Sequence, residues 1–175
     1  VINQGEADWV MLLLPGDQLT PDALFNLAEY ANLNNYWLAI YADEDHIYID
    51  GQGEQRRHEP NFKPSFNYEL LVSTNYLGGC VALRKDAIQA LGGLTNLPYM
   101  QNEDLLLRLG TRMTLPAIGH LPFISNSRSS LLDEVFNSQE LEVAGAEVRL
   151  NHLKERELTQ VELLPGLKAK TWQAK

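Results

Sequence analysis

The feature that most constrains this chain is a strand, helix and second strand fitted between Trp9 and Ala42. Trp9-Val10-Met11-Leu12-Leu13-Leu14 is apolar at every position rather than at alternate ones. A strand covered on both faces has that pattern, so the run reads as a buried strand of a layered α/β protein. Pro15-Gly16-Asp17 ends it. Thr20 before Pro21 predicts a helix N-cap followed by proline in the first turn. Leu24, Leu27, Ala28 and Ala31 then recur at i, i+3, i+4 and i+7, the stripe of an amphipathic helix. Trp37 to Ala42 reads as the second buried strand. The unit predicts a parallel βαβ with a right-handed crossover.

Beyond Ala42 the pattern is less regular. His46-Ile47-Tyr48-Ile49 runs into Asp50-Gly51-Gln52-Gly53, a tight-turn signal. Residues 54–67 are polar with two prolines and read as a long loop re-entering the fold at Tyr68 to Ser73. Gly79 to Arg84 reads as a strand, and Lys85 to Leu91 as a short helix closed by Gly92-Gly93. Asn102 is expected to cap a helix that turns Leu105, Leu106 and Leu109 inward, and Thr114 to Ile124 to be extended. In the tail, Asn137 and Glu140 resemble a capping box. Val143, Ala146, Leu150 and Leu153 would form the inner stripe of that helix. Val161 to Trp172, broken by Pro165-Gly166, is expected to give one or two short edge strands.

Composition narrows the function classes. The chain has 175 residues, 45% hydrophobic and 21% charged, which suits one globular domain. No apolar run is long enough to span a bilayer, and no basic stretch precedes the Trp9 run as in a signal peptide. A net charge of −9 argues against a nucleic-acid backbone as partner. Cys80 is the single cysteine, so an internal disulfide and a Cys-rich zinc site are excluded. Its apolar neighbourhood reads as buried and inert. No Walker or dinucleotide glycine loop and no G-x-S-x-G elbow is present. The four histidines have no i, i+4 partner of zinc-binding type.

The carboxylates are the candidate chemistry. Asp43-Glu44-Asp45 follows the second strand, where open α/β sheets bind ligands. On an extended chain Asp43 and Asp45 share a face and suit Mg²⁺ or Mn²⁺ through oxygen. The alternative is a solvated strand end. Asp17, after the first strand, suits a cation or a ribose hydroxyl, or is a turn residue. Glu103-Asp104 suits a general base, or is an acidic first turn favoured by the helix dipole. A metal-dependent hydrolase using Asp43 and Asp45 is a more distant alternative.

In order, these segments resemble family 2 glycosyltransferases of the GT-A fold, of the type found in bacterial surface-polysaccharide and O-antigen assembly. The resemblance rests on Ala7 to Leu24, Ile40-Tyr41-Ala42-Asp43-Glu44-Asp45, Pro60-Asn61-Phe62-Lys63-Pro64, Gly92-Gly93-Leu94 and Asp104 to Leu109, and it continues through Gly145 to Trp172. It implies a partial GT-A three-layer sandwich with a mixed, mainly parallel sheet over residues 1–135, and a helix and short strands over 136–175. It further implies a nucleotide-sugar donor, a glycan acceptor, a divalent cation (Mn²⁺ or Mg²⁺) and a cytoplasmic location, peripheral to the inner membrane.

By the same resemblance, Glu103 or Asp104 would be the base. Asp17, Asp43, Glu44 and Asp45 would lie at the substrate, with Asp17 and Asp45 at the metal. The sequence departs from the family where the chemistry lies. The two acidic positions of the D-x-D motif fall on Leu14 and Gly16, the usual base position on Asn102, and a metal-ligating histidine on Ser127. An amide takes no proton, so impaired or absent turnover is expected, and a non-catalytic binding or assembly module is the alternative. The family's first strands have no counterpart here. The Trp9 strand is therefore expected to present an edge, covered by a second copy of the chain or by a preceding domain.

Overall fold

A computed structural model describes residues 5–97, 99–112, 117–132, 137–158 and 160–175. The main sheet runs β1 (Trp9–Met11), β5 (Val81–Arg84), β3 (Ala39–Ile49), β6 (Ile118–Ser129), β2 (Gln18–Leu19), and β4 (Gln55–Asn61) also pairs with β3. Helices are α1 (Ala23–Leu33), α2 (Tyr68–Ser73), α3 (Lys85–Ala90), α4 (Gln101–Arg112) and α5 (Gln139–Glu155). Strands β7 (Leu163–Pro165) and β8 (Trp172–Ala174) form a separate antiparallel pair, the short strands expected of the tail.

Side-chain alternation along the central strands builds three layers. Ala39 and Tyr41 of β3, with Val81 and Leu83 of β5, join one core with Leu105, Leu106 and Leu109 of α4 and Val148 of α5. Ile40, Ala42 and Ala82 face the opposite way, into a second core with Leu121, Leu27, Tyr30 and Trp37. A three-layer α/β sandwich is therefore present. Its sheet is mixed, but antiparallel pairings dominate. Among the described residues β3·β6 is parallel, whereas β1·β5, β3·β5, β3·β4 and β2·β6 are antiparallel. β1 and β3 do run in the same direction across α1, but β5 lies between them, so the expected βαβ strands are not neighbours. β1 is half-buried rather than covered on both faces.

Several local readings shift for tertiary reasons. β3 continues through Asp43-Glu44-Asp45 to Ile49, so these acids lie inside a strand and not at its end. One edge of β3 carries β6, and the other passes from β5 at Ala39–Tyr41 to β4 at Glu44–Ile49. β4 replaces the expected loop. It pairs on one side, which tolerates Pro60, and a bulge between Glu44 and His46 absorbs Glu59 at φ 51°. Helix α1 begins after Asp22, and it turns Ala23, Leu27, Tyr30 and Ala31 inward while Leu24 stays exposed. Asn102 is inside α4 rather than at its cap, and Ser138, not Asn137, caps α5 by accepting from Leu141 N. The start of the Thr114 segment and the expected boundary at 135/136 lie outside the described residues.

Candidate functional site

A cavity of about 520 Å³ opens beside β1, between the start of α4 and the C-terminal elements. Leu12 and Leu14 enter it from the segment after β1, and Gly78-Gly79 from the loop before β5. Asn102 and Glu103 come from α4, Arg149 from α5 and Trp172 from β8. Gly145 lets the indole approach, since a Cβ there would lie 3.2 Å from Trp172 Cη2. The tail thus builds one wall.

Arg149 anchors that wall. Its side chain is fully buried; Nη1 donates to Glu103 Oε1 and to Gly145 O at 3.0 Å, and Nε donates to Val72 O at 2.8 Å. Trp172 stacks on the guanidinium, 4.1 Å from ring centroid to Cζ. Burial pushes the Glu103 carboxyl above its usual range, while the Arg149 charge and a hydrogen bond with the Asn75 side chain pull it back. Glu103 is the one carboxylate among the described lining residues, against three cations, Arg128, Arg149 and Lys170. In a chain of net charge −9, the described lining thus carries more cations than carboxylates.

Asn102 Nδ2 donates to Gly79 O, and among the described residues the buried Asn102 Oδ1 has no hydrogen-bond partner, nor has the buried Asn75 Oδ1. Both residues line the cavity. Buried acceptors of this kind are costly unless a donor meets them, and a polyhydroxylated ligand supplies such donors.

Asp43, Glu44 and Asp45 are outside the described cavity lining, and each is engaged elsewhere in the fold. The Asp43 carboxylate accepts from Lys63 N at 2.9 Å and meets His120 Nε2 at 2.8 Å. Glu44 pairs with the buried Lys63 ammonium at 3.1 Å, and Lys63 Nζ also donates to Leu77 O at 2.8 Å. Asp45 lies 3.7 Å from Arg57. A Cβ on Gly78 would come within 2.5 Å of Glu44 Oε2 and 2.8 Å of Lys63 Nζ, so this ion pair underlies the cavity floor. Asp17 accepts from Ser129 N at 2.9 Å and ties the turn after β1 to the end of β6.

Among the described residues no group of three or more His, Cys, Asp or Glu side chains gathers to hold a metal ion. Neither Asp17 nor Asp45 lines the cavity, so the pair expected at a divalent cation does not fit one there. Of the two expected bases, Glu103 faces the cavity. Asp104 instead accepts from Thr95 Oγ1 at 3.0 Å and from Arg108 Nη2 at 2.6 Å. Arg108 in turn donates to the carbonyls of Leu91 and Gly93, so Asp104-Leu105-Leu106-Leu107-Arg108 clamps the glycine turn after α3. Cys80 is buried as expected, and that burial pushes its thiol up to about 12.

Arg149 and Trp172 were not legible as site residues. The available signal was the face Gly145, Val148, Arg149 and His152, at i, i+3, i+4 and i+7, which is the buried one. The stripe expected from Val143 leaves that residue exposed.

The chain is 33% identical over 124 residues to the O-antigen biosynthesis protein RfbC of Myxococcus xanthus, covering 68% of this chain and 9% of that protein. It is 29% identical over 114 residues to the protein y4gI of Sinorhizobium fredii (strain NBRC 101917 / NGR234), covering 65% of this chain and 12% of that one. The chain therefore spans about a tenth of the length of these curated relatives. The crystal structure of S. aureus TarS 1-349 superposes with a TM-score of 0.52 at 12% identity, over 90% of this chain and 50% of that one, a likeness of fold. No protein-family model matches the chain.

Proposed function

We propose, for a chain that belongs with the bacterial polysaccharide glycosyltransferase-type domains of GT-A fold, that it is a family 2 domain that binds a nucleotide sugar and a surface-glycan acceptor in the cavity beside β1. The observation that carries this reading is the character of the cavity. Its described lining brings Arg128, Arg149 and Lys170 against the single carboxylate of Glu103 in an acidic chain, donors that suit a nucleotide diphosphate. It also holds two buried amide oxygens, of Asn75 and Asn102, that meet no donor among the described residues, which suits sugar hydroxyls. No helix among the described residues is long and apolar enough to cross a membrane.

The transfer would join an acceptor hydroxyl oxygen to the anomeric carbon as the bond from that carbon to the diphosphate breaks. A base must take the hydroxyl proton. Asn102 cannot, and the Glu103 carboxylate is engaged by Arg149. Proton removal is therefore the weak step, and turnover by this chain is slow although binding is kept. Because the expected cation pair does not fit the cavity, no step is routed through a metal.

The test is thermal stability against a panel of nucleotide sugars, with and without Mn²⁺ or Mg²⁺. A ligand at about a hundred times its dissociation constant adds roughly 2.7 kcal/mol, a rise of roughly 5–10 °C for a domain of this size. One or more donors should give that shift. No shift with any donor overturns the reading. Donor binding with no detectable transfer turns it into the non-catalytic module.

A further inference from the structure

A second concave surface adjoins the cavity. A groove of about 670 Å³ runs along the β4–β3–β6 end of the sheet, and Arg128 and Lys170 line both it and the cavity. The register explains its floor. His46 of β3 lies opposite His58 of β4 and opposite Arg128 of β6, so the three side chains form one row across three strands. Tyr48, two residues along β3, shares that face. Its ring meets His58 edge-on at 5.0 Å, and His46 and His58 meet at 5.8 Å. Tyr48 is 43% exposed, a large aromatic surface that the fold does not cover. Ser130 and Asn137 add polar atoms along the groove.

We propose that this row is an acceptor track, a subsite that holds the extended glycan chain whose reacting end lies in the cavity. The inference rests on the reading of the cavity as the transfer site. Three properties select a carbohydrate occupant. Flat rings offer faces to the apolar C–H face of a pyranose. Imidazole, hydroxyl and amide groups at the edges exchange hydrogen bonds with sugar hydroxyls. Arg128 and Lys170 line both the groove and the cavity, so the two adjoin and a chain too long for the cavity meets the groove next.

The test titrates the full chain with defined neutral bacterial surface oligosaccharides of two, four, six and eight sugars. Calorimetry gives affinity, and the His46 and His58 ring resonances report the track. Affinity should rise with length, and the longer ligands should move both histidines. Tyr48→Ala and His58→Ala should each weaken the longer ligands by roughly five- to tenfold while sparing the disaccharide. Stabilisation by nucleotide sugars should stay unchanged in both variants. Oligosaccharides that bind without moving either histidine, or with unchanged affinity in both variants, overturn the track. So does donor binding without oligosaccharide binding, which leaves the cavity reading intact. Failure of both ligand classes overturns the two together.

Discussion

Arg149 on α5 closes onto Glu103 on α4 across 46 residues of chain, and both partners are buried. The contact fixes the C-terminal helix to the cavity wall and engages the carboxylate that faces the cavity. Such a pair contributes little net stability when intact, because desolvation offsets the attraction, but losing one partner leaves a buried charge alone.

Arg149→Met should therefore lose about 3–5 kcal/mol in urea unfolding, and Glu103→Gln combined with Arg149→Met should recover part of that loss. A double variant no more stable than Arg149→Met would show that the guanidinium acts through its carbonyl bonds and Trp172 instead.

Gly78 and Gly53 separate crowding from backbone strain. Both have positive φ, +84° and +83°, but a Cβ at Gly53 meets nothing within 4 Å whereas one at Gly78 meets the Glu44–Lys63 pair. Gly53→Ala should cost about 1–2 kcal/mol. Gly78→Ala should cost about 2–4 kcal/mol, since overpacking adds to the strain. Equal losses in chemical denaturation would contradict the placement of the ion pair under the cavity floor.

Asn102→Asp puts a proton acceptor where the cavity holds an amide. Transfer measured by nucleotide release should rise by about 10²-fold, the lower range for a positioned general base. Asp104→Asn should leave that rate alone and lower the melting temperature, because Asp104 holds Arg108. A rate loss in Asp104→Asn at full stability would make Asp104 the base.

His152 gives the fold a pH dependence. Burial, followed by the nearby Arg156 charge, lowers its pKa to about 4, and Tyr68 Oη lies 2.8 Å from its Nε2. Between about pH 6.5 and 4 the unfolded chain holds this proton and the folded chain does not, so stability falls as pH falls through that window. The melting temperature of the wild type should drop across it more steeply than that of His152→Gln. Parallel curves would remove His152 as the cause.

The two-core sandwich was largely readable in sequence because side-chain alternation is local. Ala39 and Tyr41 part from Ile40 and Ala42 by pleat alone. The site was less readable because its residues find partners far along the chain. Asp43-Glu44-Asp45 looked like a strand end, since three adjacent acids inside a buried strand are prohibitive without compensation. Lys63, His120 and Arg57 provide that compensation from other strands and loops. Residues 54–67 looked like a loop because β4 pairs with a single neighbour and so tolerates polar residues and Pro60. Helix α5 is turned by about one residue from its apolar stripe, so Gly145, Val148, Arg149 and His152 are buried while Val143 is exposed.

By itself, then, the sequence determined the layered α/β class and the family resemblance, both properties of single positions or short-range periodicity. Tertiary structure alone decided the strand order that places β5 between β1 and β3, which carboxylates are spent on ion pairs, and which one faces the cavity. Those outcomes depend on where a charge meets its counter-charge, and Coulomb and desolvation energies follow distance in space, not separation along the chain.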